Sequence, residues 1–352
     1  NVSRQFSTGG SVKLQKGNRH IAFNAVFNRF GNEVDRDYKP YNQFDFRGQK
    51  LLNASVDYAF MLRNLSFFGE TAMSDNGAVA SINGLLVGLT PKVDLAVLHR
   101  YYPRNYQVLE ANPFGETRGG RNEYGLYVGM EIRPLKQWKI SGYFDRWHHP
   151  WLRFLSNAPS RGHEYRARLT WWAKRKFELY LEVRDEVKQK NFTTAESKTR
   201  LIPDHRTFQT RLHFGYNLSK SLTIRSRIDM GFHDNDQEPR STGVVIYQDI
   251  IYKSLDFPLS FSTRFVLMDT DGFSARYYSY ENNLLYTFSI PPYYNKGARF
   301  YLNLRYRGIR NLTIETRIER TLWTNQTTIG GGLEEIDGNI RTGVSAQVKY
   351  KF

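Results

Sequence analysis

The chain has 352 residues, 40% of them hydrophobic and 15% aromatic, with no cysteine and a formal net charge of +16. The missing cysteines exclude a disulfide framework and a thiolate metal site, and no run approaches the ~18 consecutive apolar residues of a membrane-spanning helix. The basic balance admits nucleic acid, lipid phosphate or acidic sugar as partners. The basic residues are spread along the sequence, however, which favours pairing among themselves and with lipopolysaccharide.

Apolar and polar residues alternate with a period of two along most of the chain, as in β-strands with one apolar face. Ile21, Phe23, Ala25 and Phe27 alternate with Ala22, Asn24, Val26 and Asn28. Leu52 to Phe60 repeats the pattern and turns at Arg63-Asn64 into Leu65 to Met73. Ala78 to Leu89 and Val93 to Tyr102 flank Thr90-Pro91-Lys92, and Glu123 to Arg133 and Trp138 to His148 flank Pro134. His163 to Trp172 and Phe177 to Lys188 flank Ala173-Lys174-Arg175, and His205 to Tyr216 and Leu222 to Phe232 flank Asn217 to Ser221. Gly243 to Tyr252 leads to Pro258 to Met268, and Ala298 to Arg307 and Leu312 to Leu322 flank Gly308 to Asn311.

Longer polar loops separate these hairpins at Gly31 to Lys50, Pro103 to Arg121, His149 to Gly162, Gln189 to Asp204, His233 to Thr242 and Thr324 to Asp337. Short turns alternating with long loops are the outer-membrane pattern, with the short turns periplasmic. The last stretch is the most regular. Ile340, Thr342, Val344, Ala346, Val348, Tyr350 and Phe352 form one series, and the polar residues from Asn339 to Lys351 form the other. A terminal Phe352 resembles the signal read by the outer-membrane assembly machinery.

The expected fold class is therefore all-β: a transmembrane antiparallel outer-membrane β-barrel, with residues 1–352 as one domain. Crossings counted from the two ends disagree at Asp269 to Gly297. This predicts either two short strands there or a segment that does not span, for a total of about 17–19 strands. An odd number implies completion by upstream strands, and the absence of a signal peptide at Asn1 implies a mature chain or a later piece of a precursor. Trp138, Trp171 and Trp172 beside short turns, and Trp147, Trp151 and Trp323 beside long loops, suggest two interfacial belts.

The polar series is heavily charged. Arg166 and Arg168 share a face with Glu164, as do Glu178, Glu182 and Arg184 on the next strand. Arg225, Arg227 and Asp229 repeat the pattern, and Arg299, Arg305 and Arg307 precede Glu315, Arg317 and Glu319. These residues are expected to line the lumen. They would form a paired, structural wall or an anion-selective pore, and the paired wall is the favoured reading.

Sites for chemistry are sparse. His148-His149 lacks further ligands at metal spacing. Asp229, His233, Asp234 and Asp236 admit an acid/base site, but an acidic loop is the plainer reading. Asp269, Asp271 and Gly272 echo a calcium loop without its other ligands and read as a turn. No catalytic residue, cofactor or metal is expected.

Several local stretches are familiar together: Phe46-Arg47-Gly48-Gln49-Lys50-Leu51-Leu52-Asn53, Phe68-Gly69-Glu70, Ser74-Asp75-Asn76-Gly77, Trp151-Leu152-Arg153-Phe154, Ala158-Pro159-Ser160-Arg161-Gly162, Tyr247 to Tyr252, Tyr280 to Tyr286 and Leu302 to Arg307. Together they resemble the barrel part of a Bacteroidota outer-membrane family that carries an N-terminal helix-hairpin-helix region, as in competence proteins. The resemblance implies DNA as a partner of that region only, whose motifs are not in this sequence. The expected function is a non-enzymatic channel or a component of a translocation or uptake assembly in the bacterial outer membrane. The alternative is a sealed accessory barrel that presents loops to outer-membrane or periplasmic proteins.

Overall fold

The computed structural model describes residues 4–192, 201–254 and 256–352. Part of the expected loop from Gln189 to Asp204, residues 193–200, lies outside the described residues. The strands are β1 (Gln5–Lys16), β2 (Arg19–Val34), β3 (Gly48–Leu62), β4 (Leu65–Ser74), β5 (Val79–Thr90), β6 (Val93–Tyr102) and β7 (Glu123–Ile132). Next come β8 (Trp138–His149), β9 (Ser160–Ala173), β10 (Phe177–Gln189), β11 (Asp204–Asn217), β12 (Leu222–Asp234), β13 (Ser241–Lys253) and β14 (Leu259–Thr270). The chain continues through β15 (Tyr277–Tyr278), β16 (Pro292–Tyr293), β17 (Lys296–Tyr306), β18 (Leu312–Trp323), β19 (Thr328–Ile329), β20 (Ile336–Asp337) and β21 (Ile340–Tyr350). Among the described residues, seventeen strands belong to one antiparallel sheet, and β15–β16 and β19–β20 are two-residue ladders within loops. By contacts the chain divides into two compact units: Asn1–Pro134, Ile140–Ala167 and Glu186–Arg206 form the first, and Leu135–Lys139, Arg168–Asp185 and Thr207–Phe352 the second.

In the first unit, β1 to β7 pair consecutively. The β1–β2 register closes at Lys16↔Arg19, leaving a two-residue turn with Gly17 at φ 58°. That left-handed backbone matches the twist of a tight hairpin and suits glycine. β2 extends to Val34, past the expected start of its loop, because a register shift after Arg29 carries its pairing on to Val34↔Gly48.

In the second unit, β12 pairs with β13, β13 with β14, β14 with β17, β17 with β18 and β18 with β21. The β14–β17 ladder runs from Leu259↔Tyr306 to Asp269↔Lys296. Residues 271–295 are therefore one loop between neighbouring strands. This corrects the crossing expected to be misplaced at Asp269 to Gly297: successive strands simply alternate in direction there, and the β15–β16 ladder belongs to the loop.

The two faces of the strands have opposite chemistry. On β13, Val244, Ile246 and Ile250 are exposed, whereas Val245, Tyr247 and Asp249 between them are buried. On β18, Ile318 is 47% exposed while Arg317 is 3% exposed. Large aliphatic side chains face outward and ionic ones are covered, the reverse of a water-soluble sheet and the arrangement that a hydrocarbon surround stabilises. The β18–β21 register sets Ile314, Ile318 and Leu322 beside Val348, Val344 and Ile340, so the apolar face continues onto the last strand. Phe352 follows that strand and packs edge-on against Tyr350.

The tryptophan belts hold only in part. Trp138 and Trp171 stack at 5.6 Å beside short turns. Trp172 sits instead on the charged face, with Arg168 and Tyr180. Trp147 is 2% exposed, filling the space that Gly162 leaves open, and Trp323 is buried with its indole N–H donating to the Tyr294 carbonyl. Trp151 donates from its indole to the Pro40 carbonyl. The expectation of an outer belt is corrected for Trp147 and Trp323, which are buried, the first against Gly162 of β9 and the second under Tyr294 of the 271–295 loop; Trp151 stays partly exposed.

Candidate functional site: the charged face and the loop against it

The 271–295 loop lies on the charged face of the second unit, and the Glu281 carboxylate is the most heavily bonded of its anchors there. Glu281 is fully buried. It accepts from Arg299 at 2.8 and 2.9 Å, from Arg317 at 2.5 Å and from the Tyr293 hydroxyl at 2.8 Å. Glu319 accepts from the same two guanidiniums. Strand patterning explains the wall side of this cluster: Arg299 on β17 faces Thr321 on β18 in the ladder, and Arg317 faces Asn303. The loop backbone is also engaged. The Asn282 carbonyl accepts from Arg317 and Asn303, and the Leu285 N–H donates to Glu315.

A second clamp sits beside it. Asp249 and Arg264 are partners in the β13–β14 register and form a two-toothed ion pair at 2.5 and 2.8 Å. The remaining Arg264 nitrogen donates to Ser279, the Tyr280 carbonyl and Tyr293, all on the loop. The guanidinium lies over the Tyr247 ring at 3.8 Å. A buried guanidinium with every face occupied is a rigid fixture, because each donor released would remain unpaired.

Burial alone would raise the Glu281 carboxyl, but hydrogen bonds and charge from Arg299, the Tyr293 hydroxyl and Arg317 outweigh it and hold the group below the ordinary glutamate value. Asp271, at the start of the loop, is lowered by the Thr242 hydroxyl and then by the Thr242 N–H, which donate at 2.7 and 2.9 Å. Asp271 thus fastens a turn, as its sequence suggested, and Asp269 pairs with Lys296.

The residues expected on the lumen wall fall into two groups. Arg168 pairs with Glu182, Arg305 with Glu315, and Arg317 with Glu319. Asp229 is taken by Arg211 on β11 at 2.5 Å. Arg166 and Arg184 are also engaged. Arg225 and Arg227 differ, having no ion pair among the described residues. In the β12–β13 register Arg225 stands opposite Asp249, but Arg264 from the other side has both oxygens of that carboxylate. Arg227 donates to the Tyr180 hydroxyl at 3.1 Å and lies over Tyr247. Glu178 is exposed at the edge of the same hollow.

The acid/base grouping considered at Asp229, His233, Asp234 and Asp236 does not assemble. Asp229 is bound by Arg211, Asp234 pairs with Arg240 and caps the Asp236 N–H, and His233 meets Thr207. His149 is fully buried, with Nδ1 2.8 Å from the Asn122 carbonyl.

The first unit has its own ionic centre. Arg100 is fully buried and donates to Glu123 at 2.6 Å and to Asp145 at 2.8 and 3.2 Å. Glu123 also accepts from the N–H groups of Glu116 and Thr117, which folds the 103–122 loop inward. The neighbouring loops join it: Asn53 donates to the Gln107 carbonyl, Gln107 to the Phe44 carbonyl, and Asn122 to the Trp151 carbonyl. Arg104 lies over both the Phe44 and Trp151 rings, at 4.8 and 4.9 Å, and these rings meet edge to face at 5.4 Å.

Glu281, Arg264, Asp249, Arg211 and the Arg100 triad were missed by patterning. The signal for Glu281 was present: apart from Asp271 at its start, it is the only acid in a tyrosine- and asparagine-rich loop. Identifying its partners required the register.

An antiparallel sheet with an apolar outer face and a covered ionic face defines the class, a transmembrane β-barrel protein, whose setting is the outer membrane. No protein-family model matches the chain, and no curated protein does. Among solved structures it is similar to the copper transporter OprC, at 10% identity and a TM-score of 0.48, over 91% of this chain. The chain spans 60% of that protein's length. It is also similar to OmpT of Vibrio cholerae, at 11% identity and a TM-score of 0.43, over 97% of this chain and 100% of that one. A third is OccAB3 of Acinetobacter baumannii, at 11% identity and a TM-score of 0.42, over 99% and 92%. The class rests on the sheet and its two faces rather than on these likenesses.

Proposed function

We propose that the chain is a non-enzymatic barrel wall that conducts a hydrophilic solute across the outer membrane, along a path narrowed by the 271–295 loop. The observation that carries this reading is the loop tied to the charged face by Glu281, with open hollows of about 670 and 460 Å³ left beside it. A wall meant only to fill its interior would have apolar packing there, because unoccupied ionic surface contributes little to stability. Single-channel conductance of the purified protein in a planar bilayer, with ion selectivity, tests it. A steady conductance whose selectivity changes in Arg225→Gln and Arg227→Gln supports a conducting path, and a silent bilayer overturns it.

The loops of the first unit favour a second reading, a sealed accessory barrel, since the 103–122 loop is bonded to its neighbours and to Glu123. A silent bilayer would support that one. The proposal includes insertion by the outer-membrane assembly machinery through Phe352 and contact with lipopolysaccharide through exposed basic loops. It also includes a Bacteroidota origin and a helix-hairpin-helix region outside this chain, which rest on the local motifs alone. Further strands completing the sheet would find β1 exposed along its whole length.

A further inference from the structure

We propose that the larger of the two hollows is a binding site for a soluble multivalent phosphate anion. The proposal deepens the conducting-path reading and rests on it only for biological purpose. The hollow has a volume of about 670 Å³ and is lined by β9 to β14 and by Ser279 and Tyr280 of the inward loop. That volume suits a ligand up to the size of a nucleotide.

Its charge is unbalanced for a reason visible in the register. Arg264 and Arg168 enter the lining already neutralised, by Asp249 and Glu182. Arg225 faces Asp249 across the ladder and finds it occupied, so its charge is left to the hollow. Arg227 is held by a tyrosine hydroxyl and an aromatic face, and its buried Nε has no partner among the described residues. The Lys174-Arg175-Lys176 turn adds exposed cations at the rim with no ion pair among the described residues. Glu178 is the acid in the lining without an arginine partner, and it is exposed.

His213, 8% exposed, lines the hollow with Nδ1 unpartnered among the described residues. That nitrogen and the Arg227 Nε are closed off from solvent, so a ligand meets Arg225, the outer Arg227 nitrogens and the turn cations instead. Phosphate oxygens suit these donors: they accept from guanidinium in a planar fork and from lysine as point charges. A multivalent anion is required because the free cations lie on two separate elements, the β12 face and the β9–β10 turn. Such a site selects charge density rather than shape and would hold its ligand until the next one displaces it.

The test is calorimetric titration of inorganic tripolyphosphate into the full chain in non-ionic detergent. Saturable binding is expected, weakened at least tenfold in Arg225→Gln/Arg227→Gln and about threefold in Lys176→Gln, whose exposed turn position leaves folding intact. Arg307→Gln/Arg310→Gln, which removes equal charge from exposed positions elsewhere, is expected to change affinity less than twofold. Equal weakening in both double variants, or no saturation at millimolar tripolyphosphate, overturns the proposal. Micelles carrying a diphosphorylated lipid provide the other arm. If they bind with the same loss in Arg225→Gln/Arg227→Gln and displace tripolyphosphate, the ligand is a lipid headgroup and the soluble source is wrong. Because the titration requires no conduction, tripolyphosphate binding with a silent bilayer would keep the site and refute the channel, and conduction without binding would do the reverse.

Discussion

Replacing Glu281 by glutamine keeps the side-chain volume and removes the charge that fastens the 271–295 loop. No cavity is created, so the cost is electrostatic. The carboxylate is fully buried and receives Arg299, Arg317 and Tyr293. Removing one member of a buried ionic cluster costs about 3–5 kcal/mol. Glu319 still accepts from both guanidiniums and is 33% exposed, which points to the lower end, about 3 kcal/mol. At about 1.4 kcal/mol per factor of ten, the population with the loop released should rise roughly a hundredfold. Hydrogen–deuterium exchange reads this directly. Amides of residues 277–293 should exchange roughly a hundredfold faster in Glu281→Gln, while those of β13 and β14 stay protected. Unchanged exchange across the loop would refute the argument that this carboxylate holds it. Open-channel current should rise in the same variant if the loop narrows a conducting path.

Acidification should mimic that substitution. Because the folded-state value of Glu281 lies below its unfolded value of about 4.5, its contribution is complete above that pH and is lost as pH falls through the folded value; loop exchange followed from pH 7 to pH 3 should accelerate only at the acid end. Arg100→Leu leaves Glu123 and Asp145 buried without their cation, and should lower unfolding stability by about 3–5 kcal/mol in urea with detergent; Arg100→Lys should recover part of the loss, because the charge returns without the fork. Ile246→Arg puts a charge on the exposed apolar face of β13 and should cost about 2–4 kcal/mol near the bilayer midplane in folding to lipid vesicles. Gly162→Ala brings a methyl group 2.5 Å from the Trp147 ring and 2.7 Å from the Val187 carbonyl, and should cost about 1–3 kcal/mol by overpacking.

The period-two alternation by itself determined the class of this protein, the positions of its long strands apart from β1, and which face of those strands is charged. These properties are local: a strand presents alternate residues to opposite sides whatever its neighbours are. Ile246 and Asp249 could therefore be assigned to opposite faces from the sequence, as could Ile318 and Arg317. Only the tertiary structure decided which charges cancel. Asp249 is equally opposite Arg225 and Arg264 in its two ladders, and nothing in the spacing says that Arg264 takes both oxygens. The inward fold of the 271–295 loop was likewise hidden, because it depends on one acid meeting two arginines from different strands. Ion pairing is short-ranged and sensitive to direction, so the partners emerge only when register and loop path are fixed together. The burial of Trp147 and Trp323 has the same origin: their place in the sequence suggested an interface, but Gly162 of β9 beside the first and Tyr294 of the 271–295 loop over the second put them inside.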